Sequence, residues 1–340
     1  MRAFQITEPK STRIVDIKTP SLGSGDVLLK IRTIGMCGSD LSSYLGKNSL
    51  LTFPRIPGHE IAATIVERGS EVPESFNVGM NVTVVPYTSC GVCSSCLRGR
   101  TNACKNNETL GVQRDGALTE YITVPWQKVV PPEGLALEEL VLVEPLTVGF
   151  HAVDRSQVRD DDTVLVIGCG MIGLGAIVRA NLRGARVIAT DIDDEKLAIA
   201  ASFGAHVGIN SRSVDLSREL DRVTDGHGPD VVIEAVGSPA TYRTAVEVVA
   251  FTGRVTGIGY AAEDAPIPTR LIVQKELDLR GSRNATAQDF RAVVRFLGRR
   301  TLPLEQVISR RVPLEHSGEA LRDWAADPPH FTKILVTVSE

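Results

Sequence analysis

The 340-residue chain lacks several features that would point its function elsewhere. No segment approaches the eighteen or so unbroken apolar residues that a membrane-spanning helix needs, so the sequence argues against an integral helical membrane protein. Positive charge is neither in excess nor gathered: 37 Lys plus Arg are interspersed with 41 Asp plus Glu, for a net charge of −4. Nucleic-acid binding therefore lacks its electrostatic footprint. The first residues, MRAFQITEPKSTRIVDI, have no charged head, apolar middle or small-residue cleavage site of a secretory signal, and a cytoplasmic address is expected. Internal repeats, low-complexity tracts and heptad runs are absent. Cysteine is scarce, six in all, and in a reducing compartment these residues read as metal ligands or buried thiols before disulfides.

What is present is an ordinary globular composition, 43% hydrophobic and 23% charged, in a chain long enough for two domains. Up to about residue 150 the pattern is short β-branched runs such as Val27–Ile31 and Ile61–Val66, punctuated by Gly, Pro and Ser. Beyond that, apolar strands at Thr163–Ile167, Arg186–Thr190, Asp230–Ile233, Gly253–Ile258 and Leu277–Arg280 alternate with helical stretches over Met171–Asn181, Glu195–Ser202 and Pro239–Phe251. We read an α/β chain: a β-rich domain over 1–152 and a doubly wound parallel-sheet domain over 153–286. A return segment over 287–340, with helix Ala287–Gly298 and strand Lys333–Val338, completes the first domain. The long apolar strand Gly253–Ile258 is expected near the domain edge, where it could serve as an interface.

Gly168, Gly170 and Gly173 form G-x-G-x-x-G between an apolar strand and a helix, the context a dinucleotide fingerprint requires. Gly168 permits the tight turn, Gly170 lets backbone approach a pyrophosphate, and Gly173 lets helix and strand close up, with helix N–H groups facing the anion. Asp191 ends the next strand 23 residues after Gly168, suited to ribose hydroxyls. Its carboxylate would repel a 2′-phosphate, and Ile192, Asp193 and Asp194 supply no arginine, so NAD is expected over NADP despite Lys196. Met171, Ile172, Lys196, Gly257, Ile258 and Ser282 complete the expected cofactor contacts, and Cys169 reads as a buried, inert thiol.

Cys90, Cys93, Cys96 and Cys104 lie in a Gly/Ser-rich loop as C-x2-C-x2-C-x7-C, with the lobe spanning 86–106. Four thiolates converging on one zinc leave no open position, so that ion would be structural. A dispersed second set comprises Cys37 with Ser39 and Asp40, His59 with Glu60, and Glu144. Thiolate, imidazole and one carboxylate, from Glu60 or Glu144, would supply the three protein ligands of a catalytic zinc.

These residues resemble the medium-chain zinc dehydrogenases, in the branch of sorbitol, L-threonine and sugar-acid dehydrogenases. The likeness rests on Gly35–Asp40, Pro57–Glu60, the four-cysteine lobe, Glu144-Pro-Leu, Gly168–Gly173 with Asp191, and Gly281–Asn284, and covers essentially the whole chain. It implies a GroES-like catalytic domain and a Rossmann domain with substrate and nicotinamide meeting in the cleft between them, and a homotetramer or homodimer. In the polyol branch the equivalents of Cys37, His59 and Glu60 hold the catalytic zinc, while that of Glu144 holds its water or exchanges as a ligand. Ser39 matches the hydroxyl that hydrogen-bonds the substrate alcohol and starts proton removal; Arg283 and Asn284 match residues reaching towards substrate. The sequence departs at Ser42, where many relatives have the histidine that finishes the proton relay, and at Ala63, where glycine is common. With Ser43 and Tyr44 near the expected cleft, a polyol or sugar acid is favoured. Activity on L-threonine or a sugar phosphate and a non-catalytic NAD-binding protein are the alternatives.

Overall fold

The computed structural model describes residues 1–339. The chain forms two units, one from Met1–Glu144 with the segment from Thr286 onward, the other from Pro145–Ala285. The first boundary falls inside the helix Val143–Ser156, so a single element carries Glu144 at its start and the second unit's first residues immediately after.

In the first unit the 11-residue strand Asp26–Met36 is the organising element. Its alternating burial, tightening to full burial from Thr33 to Met36, marks a strand with one face on the core that ends deep inside. It pairs antiparallel with Glu60–Arg68 on one side and with Lys333–Thr337 on the other, and also with Tyr121–Pro125. The strands Asn81–Val84, Val129–Val130 and Ile308–Pro313 complete this seven-stranded sheet. The strand Lys333–Thr337 pairs with Asp26–Met36 of the first unit, and its neighbour Ile308–Pro313, which the sequence reading overlooked, lies parallel beside it. Phe4, Ile6, Leu29, Ile31, Ile34, Ile61, Ile65 and Leu118 fill the core, each no more than 2% exposed.

The second unit is a six-stranded parallel sheet. Its order is Val207–Asn210, Arg186–Asp191, Thr163–Ile167, Val231–Glu234, Arg254–Gly257, Asp278–Gly281. This is the doubly wound order of dinucleotide-binding domains, with the switch point beside Thr163–Ile167. Continuous burial over Val164–Ile167 and Val231–Glu234 is what helices on both faces impose. One expectation is corrected. The strand placed near the edge, Gly253–Ile258, forms Arg254–Gly257 and is paired on both sides; the edge is Asp278–Gly281, whose Leu279 is exposed. Apolarity reports burial on both faces and not lateral position, which explains the error.

Candidate active site

The strand Asp26–Met36 delivers Cys37 to the start of the short helix Gly38–Tyr44. Asp40, 1% exposed, accepts from Cys37 N at 2.9 Å and from Gly58 N at 3.4 Å, so one buried carboxylate braces the turns that present Cys37 and His59. Burial raises the Asp40 carboxyl, and the His59 charge opposes that rise.

Glu60 opens the neighbouring strand directly opposite Gly35. Any Cβ at Gly35 would sit 2.0 Å from Glu60 Oε2, so glycine there is what allows the carboxylate to lie across the strand. From the other flank Lys333 Nζ donates to Glu60 Oε1 at 2.6 Å and to Met36 O at 2.9 Å. The pair is almost wholly buried, and such pairs are costly to break from one side, about 3–5 kcal/mol.

Ligand atoms of Cys37, His59 and Glu60 lie within 4.8 Å of one another. Burial alone would lower the His59 imidazole, but the Cys37 thiolate, then Asp40 and Glu144, outweigh it and hold the group well above its ordinary value. The cluster is therefore poised for positive charge, and thiolate, imidazole and carboxylate suit zinc. His59 Nδ1 and the Ser39 hydroxyl are both buried without a hydrogen-bond partner among the described residues. Glu144 lies outside the three-ligand group, 4% exposed, with its carboxyl raised by burial against the opposing His59 charge. Tyr87 Oη donates to Glu144 Oε1 in a short hydrogen bond.

The sulfurs of Cys90, Cys93, Cys96 and Cys104 also converge within 4.8 Å, and none of the four is in a disulfide. Cys104 Sγ lies 3.5 Å from Cys90 Sγ and 3.8 Å from Cys93 Sγ. A tetrahedral ion with Zn–S of about 2.3 Å sets sulfurs about 3.8 Å apart, so the lobe fits zinc. Backbone N–H groups of Cys90 and Asn106 point at Cys104 Sγ, each at 3.3 Å. The Ser95 hydroxyl leads the causes that lower the Cys93 thiol to about 5, whereas desolvation leads those that raise Cys96 to about 11.

In the second unit Gly168 has φ +96°, and a Cβ at Gly173 would stand 1.9 Å from Gly168 O. At Gly170 nothing lies within 4 Å of the Cβ position, leaving the helix start at Met171 and Ile172 open to an anion. Asp191 Oδ2 accepts from Cys169 N at 2.8 Å and Oδ1 from Ile192 N at 2.7 Å, which fixes the carboxylate at the strand end. This cradle fits a dinucleotide. Lys196, on the following helix, is half-buried with its charge near Cys169, whose thiol burial raises strongly. Gly257 packs under the Tyr242 ring, Ile258 is 7% exposed, and the buried Ser282 Oγ has no partner among the described residues.

Arg283 and Asn284 follow the edge strand, half-buried, with Asn284 at φ +51°. Tyr44 packs in the hydrophobic core of the first unit, 6% exposed. The Ser43 hydroxyl is spent on Ser39 O at 2.7 Å, and Ser42 is half-buried. Lys333 and Tyr87 were missed from sequence. A lysine opening an otherwise apolar strand was the one available signal for the first, and nothing local marks the second.

A unit with a doubly wound sheet and a dinucleotide cradle, together in one chain with a β-rich unit holding one four-thiolate cluster and one three-ligand cluster, defines an NAD-dependent zinc dehydrogenase. Residues 23–134 match the alcohol dehydrogenase GroES-like domain and residues 172–299 the zinc-binding dehydrogenase model. The chain is 30% identical to L-galactonate-5-dehydrogenase of Escherichia coli K12 over 99% of both chains. It is 31% identical to sorbitol dehydrogenase of Bacillus subtilis, over 99% of this chain and 97% of that one. Its structure superposes with TM-score 0.91 on an alcohol dehydrogenase of Escherichia coli CFT073 complexed with cofactor NADH, at 31% identity over 99% of each. The chain belongs to the medium-chain zinc alcohol dehydrogenases, in their sugar and polyol branch. No helix among the described residues is long and apolar enough to cross a membrane.

Proposed function

We propose that the protein oxidises, reversibly, a secondary hydroxyl of a polyol or sugar acid, with NAD as hydride acceptor. Cys37, His59 and Glu60 hold the catalytic zinc, Glu144 stands beside it, and Cys90, Cys93, Cys96 and Cys104 hold the structural one. The observation that carries the reading is the convergence of thiolate, imidazole and carboxylate beside a buried Ser39 hydroxyl with no partner. The metal supplies a Lewis acid that favours the ionised form of the alcohol. Ser39 accepts the substrate hydroxyl's hydrogen bond on an oxygen with no partner among the described residues and passes its own proton outward towards the cofactor ribose, while Ser42, which cannot titrate, would not finish the relay as a histidine does. Arg283 and Asn284 reach towards the substrate, a guanidinium suiting a carboxylate or vicinal hydroxyls. Gly168, Gly170, Met171, Ile172 and Gly173 cradle the pyrophosphate; Asp191 takes the ribose hydroxyls; Lys196, Gly257, Ile258 and Ser282 line the rest. The names of the sugar-acid and polyol relatives support the substrate class. We also infer a cytoplasmic homotetramer or homodimer, with the open edge at Asp278–Gly281 as the available pairing surface.

The test is NADH formation across polyols, sugar acids, sugar phosphates and L-threonine, with and without a zinc chelator. Chelator-sensitive turnover of a polyol or sugar acid is expected. Turnover that survives complete zinc removal would sink the mechanism, and silence across the panel would return the non-catalytic alternative.

A further inference from the structure

The two carboxylates beside Cys37 and His59 are held by different partners. Glu60 has an ammonium, Lys333; Glu144 has a phenol, Tyr87. Tyr87 is 4% exposed, and its ring meets Phe290 edge-on, centroids 6.3 Å apart at 72°. It stands three residues before Cys90, at the base of the four-cysteine lobe, where the lobe's two ends are laced together. Leu110 N donates to Pro86 O at 3.0 Å, Tyr87 bridges Thr109, Thr88 N donates to Glu108 O at 3.2 Å, and Glu108 N donates to Thr88 Oγ1 at 2.7 Å. The backbone that carries Tyr87 is thus held by the base of the four-cysteine lobe.

We propose that Tyr87 is a positioning residue that transmits the geometry of the structural-zinc lobe to Glu144, holding one carboxylate oxygen by its phenol so that the other faces the Cys37–His59–Glu60 cluster. The proposal rests on the reading of that cluster as the catalytic metal site. The lobe is then more than a staple: through one hydroxyl it orients a carboxylate that neighbours the reacting centre. Outer partners of this kind set metal affinity by factors of about 10 to 100.

Zinc release from the holoenzyme to a chromogenic chelator tests this in wild type, Tyr87→Phe, Glu144→Gln, the double variant and His59→Ala. Tyr87→Phe keeps the ring packed on Phe290 and removes only the hydroxyl. Release of the more labile zinc equivalent is expected to accelerate about tenfold or more in Tyr87→Phe, and no further when that change is added to Glu144→Gln. An unchanged rate, or an equal acceleration on the Glu144→Gln background, overturns the proposal alone. If His59→Ala still holds both zinc equivalents as tightly as wild type, the metal reading beneath it falls, and this proposal with it. Should Tyr87→Phe not fold, tyrosine Cζ NMR decides. One of the five tyrosine resonances must move between wild type and Glu144→Gln at neutral pH, and five unmoved resonances overturn the proposal.

Discussion

The four cysteines from Cys90 to Cys104 are carried by one loop, whereas Cys37, His59 and Glu60 come together because separate strands pair across the sheet. The first set is all thiolate, half open to solvent, and held by backbone N–H groups of the same loop. The second is mixed, with His59 and Glu60 buried and Cys37 half-buried, and depends on Asp40, Gly35 and a lysine from near the end of the chain. A closed thiolate set needs only the metal and a flexible loop. A set with three protein ligands and chemistry to perform needs each ligand held by something other than the metal, because one coordination position must remain available.

The comparison breaks most sharply at Cys37. Cys37→Ser is expected to cut kcat/KM by on the order of 10³-fold or more, through loss of several kcal/mol of metal assistance. Zinc content should fall from two to one per chain while the lobe stays folded. If both zincs remain, the division of labour is wrong.

Cys96→Ser should do the opposite: it empties the lobe, lowers stability by about 3 kcal/mol and leaves the Cys37 site loaded at first. In wild type the lobe zinc should be lost as pH falls, since the ion must compete with protons for Cys96, whose free thiol is held up at about 11. Thermal unfolding with zinc quantitation over a pH series reads both effects, and lobe zinc retained in the variant would argue against four-thiolate ligation.

Gly173→Ala tests local design in the second unit. Its Cβ would stand 1.9 Å from Gly168 O, so the fingerprint turn must shift. NADH affinity is expected to weaken roughly 100-fold, about 2.7 kcal/mol, by fluorescence titration. Wild-type affinity in the variant would mean the cofactor does not use this turn.

The smallest effect concerns Glu234, which like Glu60 is 0% exposed but has only neutral donors: Val236 N at 3.0 Å, Gly237 N at 2.8 Å and Thr241 Oγ1 at 2.8 Å. Burial raises its carboxyl, so the folded state binds this proton more tightly than the unfolded chain does. Its contribution is present below the ordinary carboxylate range and is lost as pH rises through the raised value. Glu234→Gln should therefore remove a shallow decline in melting temperature between mildly acidic and neutral pH. A decline of the same size in the variant would assign it to another group.

Much of this was legible before any coordinates. The strand–turn–helix around Gly168–Gly173 and the closely spaced cysteines are local: their chemistry needs residues a few positions apart, and spacing reports it. The polyol-branch resemblance named Cys37, His59 and Glu60 as ligands, but composition and spacing left Glu60 and Glu144 interchangeable. Tyr44 shows what spacing does not report. Its ring packs in the core because the helix Gly38–Tyr44 turns that face inward, and nothing in the neighbouring residues reports which face that is.

By itself, then, the sequence determined the class of chemistry, the glycine fingerprint with the aspartate that ends the next strand, and the lobe, because each is written within a turn or a loop. Only the tertiary structure decided that Glu60, and not Glu144, has a ligand atom grouped within 4.8 Å of those of Cys37 and His59, that Lys333 and Tyr87 are the two carboxylates' partners, and that Arg254–Gly257 is interior to its sheet. The physical reason is register. Which residue faces which across a sheet depends on pairing between distant strands, and a shift of one position would carry Gly35 away from Glu60 and turn Lys333 to the opposite face.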